Sequence, residues 1–181
     1  MKIVVTQFMT LDGVVAEPQK WSFPYWSDQT ADFKLEELRA SDAQLLGRIT
    51  YEGFASAWPS MEKDPAGFAD KMNSMPKYVV STTLKKAEWN NSTIIKKNVV
   101  DEIEKLRKQP GGDVLVAGSV TLIRTLMEHD LVDEYHLLVY PIVLGKGKRL
   151  FSDGAAASLQ LTESKPMGSA VVLLRYQPVR K

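Results

Sequence analysis

Three stretches share one pattern: an apolar run, a small residue, then hydroxyl or cationic side chains where a helix or turn begins. In LLGRITYEGF (45–54), Gly47 is followed by Arg48 and Thr50. In KYVVST (77–82), the run meets Ser81 and Thr82. In DVLVAGSVT (113–121), it meets Gly118, Ser119, Val120 and Thr121. A helix N-terminus offers free N–H groups and a partial positive charge, and glycine lets a ligand approach the main chain. Hydroxyls donate to phosphate oxygens, and a guanidinium adds a fork of donors suited to a phosphate dianion. Each stretch alone reads better as a capped turn, with a solvated Arg in the first. Three such strand ends in one chain predict more. A diphosphate would lie across two helix mouths, with a further phosphate held by Arg48 and Ser81. That is the shape of a dinucleotide with a 2′-phosphate, NADPH rather than NADH.

Other nucleotide and hydrolase signatures do not fit. No G-x-G-x-x-G follows the first apolar run, LGKGKRL lacks the spacing of a P-loop, and AGSVT is not a G-x-S-x-G elbow. There is no cysteine, which excludes disulfides, thiolate metal sites and a cysteine nucleophile, and fits a reducing cytoplasm. The two histidines, His129 and His136, have no H-E-x-x-H-type spacing, so no metal site is expected. The net charge is +1, without the basic excess of a nucleic-acid binder. No apolar stretch approaches the roughly 20 residues of a membrane span, and the N-terminus reads as a first strand rather than a signal peptide.

The elements that would position these groups follow from periodicity. The 181 residues suit one domain, 1–181. Residues 2–8, 43–46, 77–81, 92–96, 113–118 and 133–145 read as strands, and 158–166 with 169–177 as a closing hairpin. Helices are expected over 29–40 with Asp28 as cap, from Arg48 to about Trp58, from Asn98 to Gly111, and over 118–130. Residues 59–75 read as loop. Alternation of strand and helix followed by strands predicts an α/β fold. Its central sheet is mixed and mostly parallel, flanked by helices, with antiparallel strands at the C-terminal end. Ligands of such sheets sit at the carboxyl ends of the strands. The long segment 9–28 carries Trp21, Phe23, Tyr25 and Trp26. It is either a plug for its own side of the core or a loop covering a flat ligand, with Trp21 and Trp26 as substrate contacts. Asp12 either faces the cleft or shapes a turn with Gly13.

Four segments in order resemble the dihydrofolate reductase-like superfamily: TLDGVVA (10–16), LLGRITYEGF (45–54), KYVVST (77–82) and VAGSVTLIRTLMEHDLVDEYHLLVYPIVLGKGKRLF (116–151). The last is the most specific. The chain is most similar there to the C-terminal reductase domain of bifunctional riboflavin-biosynthesis deaminase-reductases and their stand-alone bacterial relatives. The resemblance implies an eight- or nine-stranded sheet and an NADPH site. Gly47, Arg48 and Thr50 would lie at the phosphates, and Ser81 and Thr82 at the 2′-phosphate. Gly118, Ser119, Val120 and Thr121 would follow the pyrophosphate. Val15 and Ala16 would line the nicotinamide, and Leu144, Gly145 and Gly147 would border the cleft. It implies hydride transfer to a C=N or C=O group of a small heterocycle, as in 5-amino-6-(5-phosphoribosylamino)uracil reductase. The alternatives are a non-catalytic binding module of the same fold and an authentic dihydrofolate reductase. It further implies a homodimer through the C-terminal strands, which the run AVVLL would suit. Dihydrofolate reductases carry an acid on the first helix after the mobile loop, where Asp28 and Asp32 stand, although each also reads as a first-turn charge. One departure concerns the substrate. The biosynthetic reductases commonly place a basic residue after LDG, and here it is Val14.

Overall fold

The computed structural model describes residues 1–61, 64, 66–151, 154–168 and 170–180. Pro65 of the expected loop, Ser169 at the head of the expected last strand, and Lys181 lie outside them. Eight strands form one sheet: β1 (Ile3–Thr10), β2 (Ser41–Gly47), β3 (Lys77–Val80), β4 (Ser92–Ile95), β5 (Asp113–Ala117), β6 (Glu134–Tyr140), β7 (Leu159–Met167) and β8 (Val171–Pro178). Their order is β4-β3-β2-β5-β1-β6-β8-β7. The first six are mutually parallel, and β8 and β7 add antiparallel at one side. Five helices connect them: α1 (Asp28–Ala40), α2 (Arg48–Ala57), α3 (Phe68–Ser74), α4 (Val99–Arg107) and α5 (Val120–Glu128).

The period-two alternation of the strands divides the core into two layers. From β1, Ile3 and Val5 enter a cluster with Ile103 and Leu106 of α4 and Ile123 and Leu126 of α5. Val4 turns the other way, toward Leu38 of α1, Tyr51 of α2 and Met72 of α3. Further along that second face, Leu138 and Tyr140 of β6 pack with Trp21, Phe33, Val171 and Leu173. Because β1 and β6 pair in register, Thr6 lies beside His136, Phe8 beside Leu138 and Thr10 beside Tyr140. The polar Thr6 and His136 therefore share the α1 side with the aromatic residues.

Several local expectations change. Strand β6 stops at Tyr140 rather than Gly145, because Pro141 has no N–H for the ladder. The chain turns there, with the Leu11 N–H donating to Ile142 O. Ser27, not Asp28, caps α1: its Oγ accepts from the Thr30 N–H at 3.2 Å, and Asp28 is the first helical residue. Residues 59–75 contain the two-turn α3. Segment 9–28 folds into two short 3-10 turns, Pro18–Lys20 and Phe23–Tyr25. Val171 to Leu174 of AVVLL lie on β8, one strand in from the edge. Val171 and Leu173 fill the chain's own core, and β7 forms the sheet edge. Lys77 at the start of β3 is 0% exposed. Its ammonium donates to the carbonyls of Asn73 (3.1 Å), Met75 (2.8 Å) and Asn90 (2.9 Å), and lies 4.2 Å from the Trp89 ring centre. Burial pushes its pKa down to about 8.

Candidate active site

The three strand ends are those of neighbouring strands β3, β2 and β5, so the topology brings the predicted phosphate contacts to one edge. Ser119 joins two of them. Its Oγ accepts from the Gly47 N–H at 2.7 Å and donates to Thr50 Oγ1 at 3.0 Å. A serine in the first position of a helix mouth would ordinarily cap its own helix. Here it reaches across to the mouth of α2, and among the described residues neither α2 nor α5 has a side-chain cap. Their first-turn N–H groups are thus left as donors beside one another. Gly118 and Ser119 both sit at positive φ, 60° and 57°, which turns the chain sharply out of β5. A Cβ on Gly118 would meet Thr50 Oγ1 at 2.6 Å, so glycine is what lets the two mouths approach. Gln7 of β1 fixes this corner by donating to Gly118 O at 2.8 Å. Thr121 faces the solvent side of α5, and Lys148 donates to its Oγ1 at 3.1 Å.

The other predicted phosphate contacts are arranged less tightly. Arg48 opens α2 with its side chain 43% exposed, and its Nη1 pairs with Glu52 at 3.0 Å. An exposed i,i+4 pair of this kind contributes about 0.3–0.5 kcal/mol, so a phosphate would displace Glu52 at little cost. Ser81 is buried, and its Oγ accepts from the N–H groups of Thr83 (3.2 Å) and Leu84 (2.9 Å). It shapes the turn, and Thr82 carries the exposed hydroxyl.

Two loops close over the carboxyl ends of β1 and β6. Val14 bridges Arg149, the Val15 N–H donates to Lys148 O at 2.9 Å, and Leu150 N–H to Gly13 O at 3.0 Å. Gly147 passes so near that a Cβ there would meet Val14 Cγ1 at 2.7 Å. The Asp12 carboxylate pins the two loops together. It accepts from Thr10 Oγ1 at 2.6 Å, from the Leu144 N–H at 3.2 Å and from the Gly145 N–H at 2.8 Å. The Thr10 hydrogen bond and these N–H groups hold its pKa down, to about 2. Asp12 thus ties the loop after β1 to the loop after β6. Val15 is buried in the core cluster, and Ala16 O accepts the Trp21 indole N–H at 3.0 Å.

On the α1 side, an aromatic nest surrounds Tyr140. Its ring meets Phe8 (5.4 Å between centres), Trp21 (5.3 Å) and Tyr25 (6.2 Å), and Phe8 meets Trp26 at 6.1 Å. Trp21 is buried in the nest with its N–H spent, and Trp26 remains exposed. The Tyr140 hydroxyl is buried and has no hydrogen-bond partner among the described residues. Asp28 and Asp32 lie on the exposed stripe of α1, opposite the buried Thr30, Phe33, Glu37 and Leu38. The helix turns them away from this nest.

Sequence reasoning missed what the buried stripe carries instead. Glu37, with 2% of its side chain exposed, lies 2.6 Å from His136 Nδ1, and Glu134 lies 2.9 Å from His136 Nε2. The second Glu37 oxygen receives the Lys34 ammonium, which also donates to Thr6 Oγ1 at 2.9 Å. Burial pushes the Glu37 carboxyl up. The Lys34 ammonium and the His136 hydrogen bond more than offset that and hold it below the usual carboxylate range. The available signals were Glu37 in register with Thr30 and Phe33, and Glu134 and His136 two apart on one strand face. Among the described residues no group of His, Cys, Asp and Glu could hold a metal ion, and no helix is long and apolar enough to cross a membrane.

Known proteins resemble this chain in sequence and in fold. The chain is 31% identical over 180 residues to the Bacillus subtilis (strain 168) protein YyaP, covering 97% of this chain and 94% of that one. Its fold superposes on a putative riboflavin biosynthesis protein from Shewanella sp. PV-4 with a TM-score of 0.78 at 22% identity, over 99% and 100% of the two chains. It also superposes on dihydrofolate reductase from Enterococcus faecalis, in a complex with NADP(H), with a TM-score of 0.66 at 15% identity over 99% and 97%. These two likenesses establish a dihydrofolate reductase-like fold. Residues 1–173 match the RibD C-terminal domain family, and the chain belongs to that family.

Proposed function

We propose that the protein is an NADPH-dependent oxidoreductase that transfers hydride to a C=N or C=O group of a small heterocyclic substrate, as 5-amino-6-(5-phosphoribosylamino)uracil reductase does. Membership of the RibD C-terminal domain family supports a reductase-type function. The observation that carries the cofactor is the paired, uncapped mouths of α2 and α5, joined by Ser119 across Gly47 and Thr50. Gly47, Thr50, Gly118, Ser119, Val120 and Thr121 would hold the diphosphate, and Arg48, Ser81 and Thr82 the 2′-phosphate. Val15 and Ala16 would border the nicotinamide, and Leu144, Gly145 and Gly147 the cleft. When bound, the dinucleotide supplies the hydride, and this chain supplies orientation, water exclusion and a proton source. A homodimer through β7 and β8 and a cytoplasmic setting complete the proposal.

Titration with NADPH and NADH, repeated with Arg48→Ala, tests it. NADPH binds more tightly than NADH, and Arg48→Ala weakens NADPH by about 1.5–3 kcal/mol while leaving NADH unchanged. Equal affinities, or an Arg48→Ala variant with wild-type NADPH affinity, overturn the 2′-phosphate assignment.

A second reading, a cofactor-binding module without turnover, is favoured by the solvent-facing positions of Asp28 and Asp32. It expects saturable NADPH binding with no oxidation by dihydrofolate or by 5-amino-6-(5-phosphoribosylamino)uracil. An authentic dihydrofolate reductase expects dihydrofolate to drive that oxidation, and its loss in Asp28→Asn or Asp32→Asn.

A further inference from the structure

The second face of the sheet holds a charged side chain in the aromatic nest, where the family resemblance led one to expect an acid. Lys34 follows the buried Phe33 on α1, and its side chain is 15% exposed. Its ammonium stands 5.7 Å from the centre of the Phe8 ring, and Phe8 in turn contacts Tyr140 and Trp26. An ammonium has three N–H donors. Among the described residues Lys34 spends them on two acceptors, Glu37 and Thr6 Oγ1.

The side chain is also held in place. Glu37 fixes the ammonium, His136 fixes Glu37, and Glu134 fixes His136 from the start of β6. Phe33 packs on the His136 ring at 5.7 Å, and Arg175 of β8 lies 5.4 Å from the Phe33 ring centre. A long, entropy-rich cation is costly to immobilise, and four elements cooperate to do it. The Tyr140 ring, which contacts Phe8, carries a second unsatisfied group on this face of the sheet. The buried Tyr140 hydroxyl has no partner among the described residues, a state that costs about 1–3 kcal/mol unless an acceptor or donor arrives. Phe8 and the exposed Trp26 supply ring surface beside it.

We propose that Lys34 is the polar anchor of the substrate cleft. It donates to a ring carbonyl oxygen or ring nitrogen of a planar conjugated ligand lying on Phe8 and Trp26. Glu37, His136 and Glu134 are its positioning residues. Glu37 already balances the ammonium charge, so the matching ligand group is a neutral acceptor rather than a phosphate or carboxylate. This agrees with the loss of the basic residue after LDG at Val14.

The role in reduction rests on the reading under Proposed function. When bound, the dihydronicotinamide would supply a hydride to the substrate carbon. The π pair of C=N or C=O moves onto the heteroatom. That atom takes a proton from Lys34 Nζ, leaving a neutral amine that water reprotonates. One hydride and one proton are consumed per double bond, and NADP⁺ is the oxidised product.

Calorimetric titration of the full chain with pterin (2-amino-4-oxopteridine) and, separately, with NADPH tests the anchor. Wild type binds pterin saturably. Lys34→Met weakens pterin about tenfold or more and Lys34→Arg about threefold or less, while NADPH affinity stays within about twofold in both. Lys34→Met leaves Glu37 short of a partner, so Lys34→Met/Glu37→Gln, which removes both charges together, provides the folded comparison and shows the same loss. A second readout is the Trp26→Ala variant, which weakens pterin and not NADPH. Failure of wild type to bind pterin, or equal pterin affinity in wild type and the double variant, overturns the proposal. Lys34-dependent pterin binding without any NADPH binding overturns the reductase reading and leaves this anchor standing. NADPH binding with Lys34-independent pterin binding does the reverse.

Discussion

At the carboxyl ends of β2 and β5 the polar groups are main-chain N–H groups and hydroxyls, met by glycines that let backbones close in. Beneath α1 they are ionisable side chains, Lys34, Glu37, His136 and Glu134, drawn from a helix and a strand, with Phe33 packed on the His136 ring. The first region is partly open and leaves donors without caps. The second is buried and answers nearly every donor with an acceptor. On the proposed reading, the contrast would separate two jobs. A diphosphate brings its own charge and needs a cradle of dipoles. A neutral heterocycle needs a charge that stays fixed when no ligand is present, and fixing it takes buried counter-charges.

The largest expected effect falls on the charged region. Glu37→Ala strands Lys34 and His136 and costs about 3–5 kcal/mol in urea unfolding. Its pH dependence has a definite sign. The folded carboxyl is held below its ordinary 4.5, so its contribution is present above that value and lost as pH falls through the folded value. Lys34, His136, Glu134, Asp113, Lys2 and Arg175 are the other charged or titratable groups around this network. Glu37→Gln therefore flattens the acid limb of stability below pH 4.5. An unchanged limb would mean that the network is not under tension from its charges.

The cradle should break by shape instead. Gly118→Ala places a Cβ against Thr50 Oγ1 at a φ of 60°, and costs about 1–3 kcal/mol of stability. Thr50→Ala relieves the clash but not the φ, so the double variant recovers part of the stability. It binds NADPH less well than wild type, because the hydroxyl is gone. Full recovery of affinity would remove Thr50 from the cradle.

The smallest effect lies where the two loops meet. Asp12→Asn substitutes an amide for the carboxylate that accepts the Leu144 and Gly145 N–H groups. Faster hydrogen exchange of those two amides, with the sheet amides unchanged, is the expected outcome. Unaltered exchange would assign the loop closure to the Val14–Arg149 bridge.

The meeting of the α2 and α5 mouths was legible because its pattern is local. Strand, glycine, hydroxyl and helix follow one another within a few residues at 45–50 and 115–121, and the alternation of elements fixed which ends align. The parallel sheet and the closing hairpin were legible for the same reason. The charged region was not, because Glu37 and His136 are 99 residues apart and meet only after β1, β6 and α1 assemble. Read locally, Glu37 is one acid in an acidic helix. Asp28 and Asp32 drew attention through their place after the long loop. The helix phase, set by Thr30, Phe33 and Glu37 burying against the sheet, turns them outward. Trp21 and Trp26 show the limit of composition. Both belong to one aromatic segment, yet one fills the core and the other stays exposed.

Lys77 has a practical consequence. Three main-chain oxygens surround its nitrogen much as carbonyls surround a bare cation, and no water-facing path reaches it while Asn73, Met75 and Asn90 stay in place. An amine-reactive reagent added to the folded chain would modify the surface lysines at once and this one only when α3 and the head of β3 separate. The delay in its labelling, read residue by residue by mass spectrometry, is a built-in clock for how often that edge of the sheet opens.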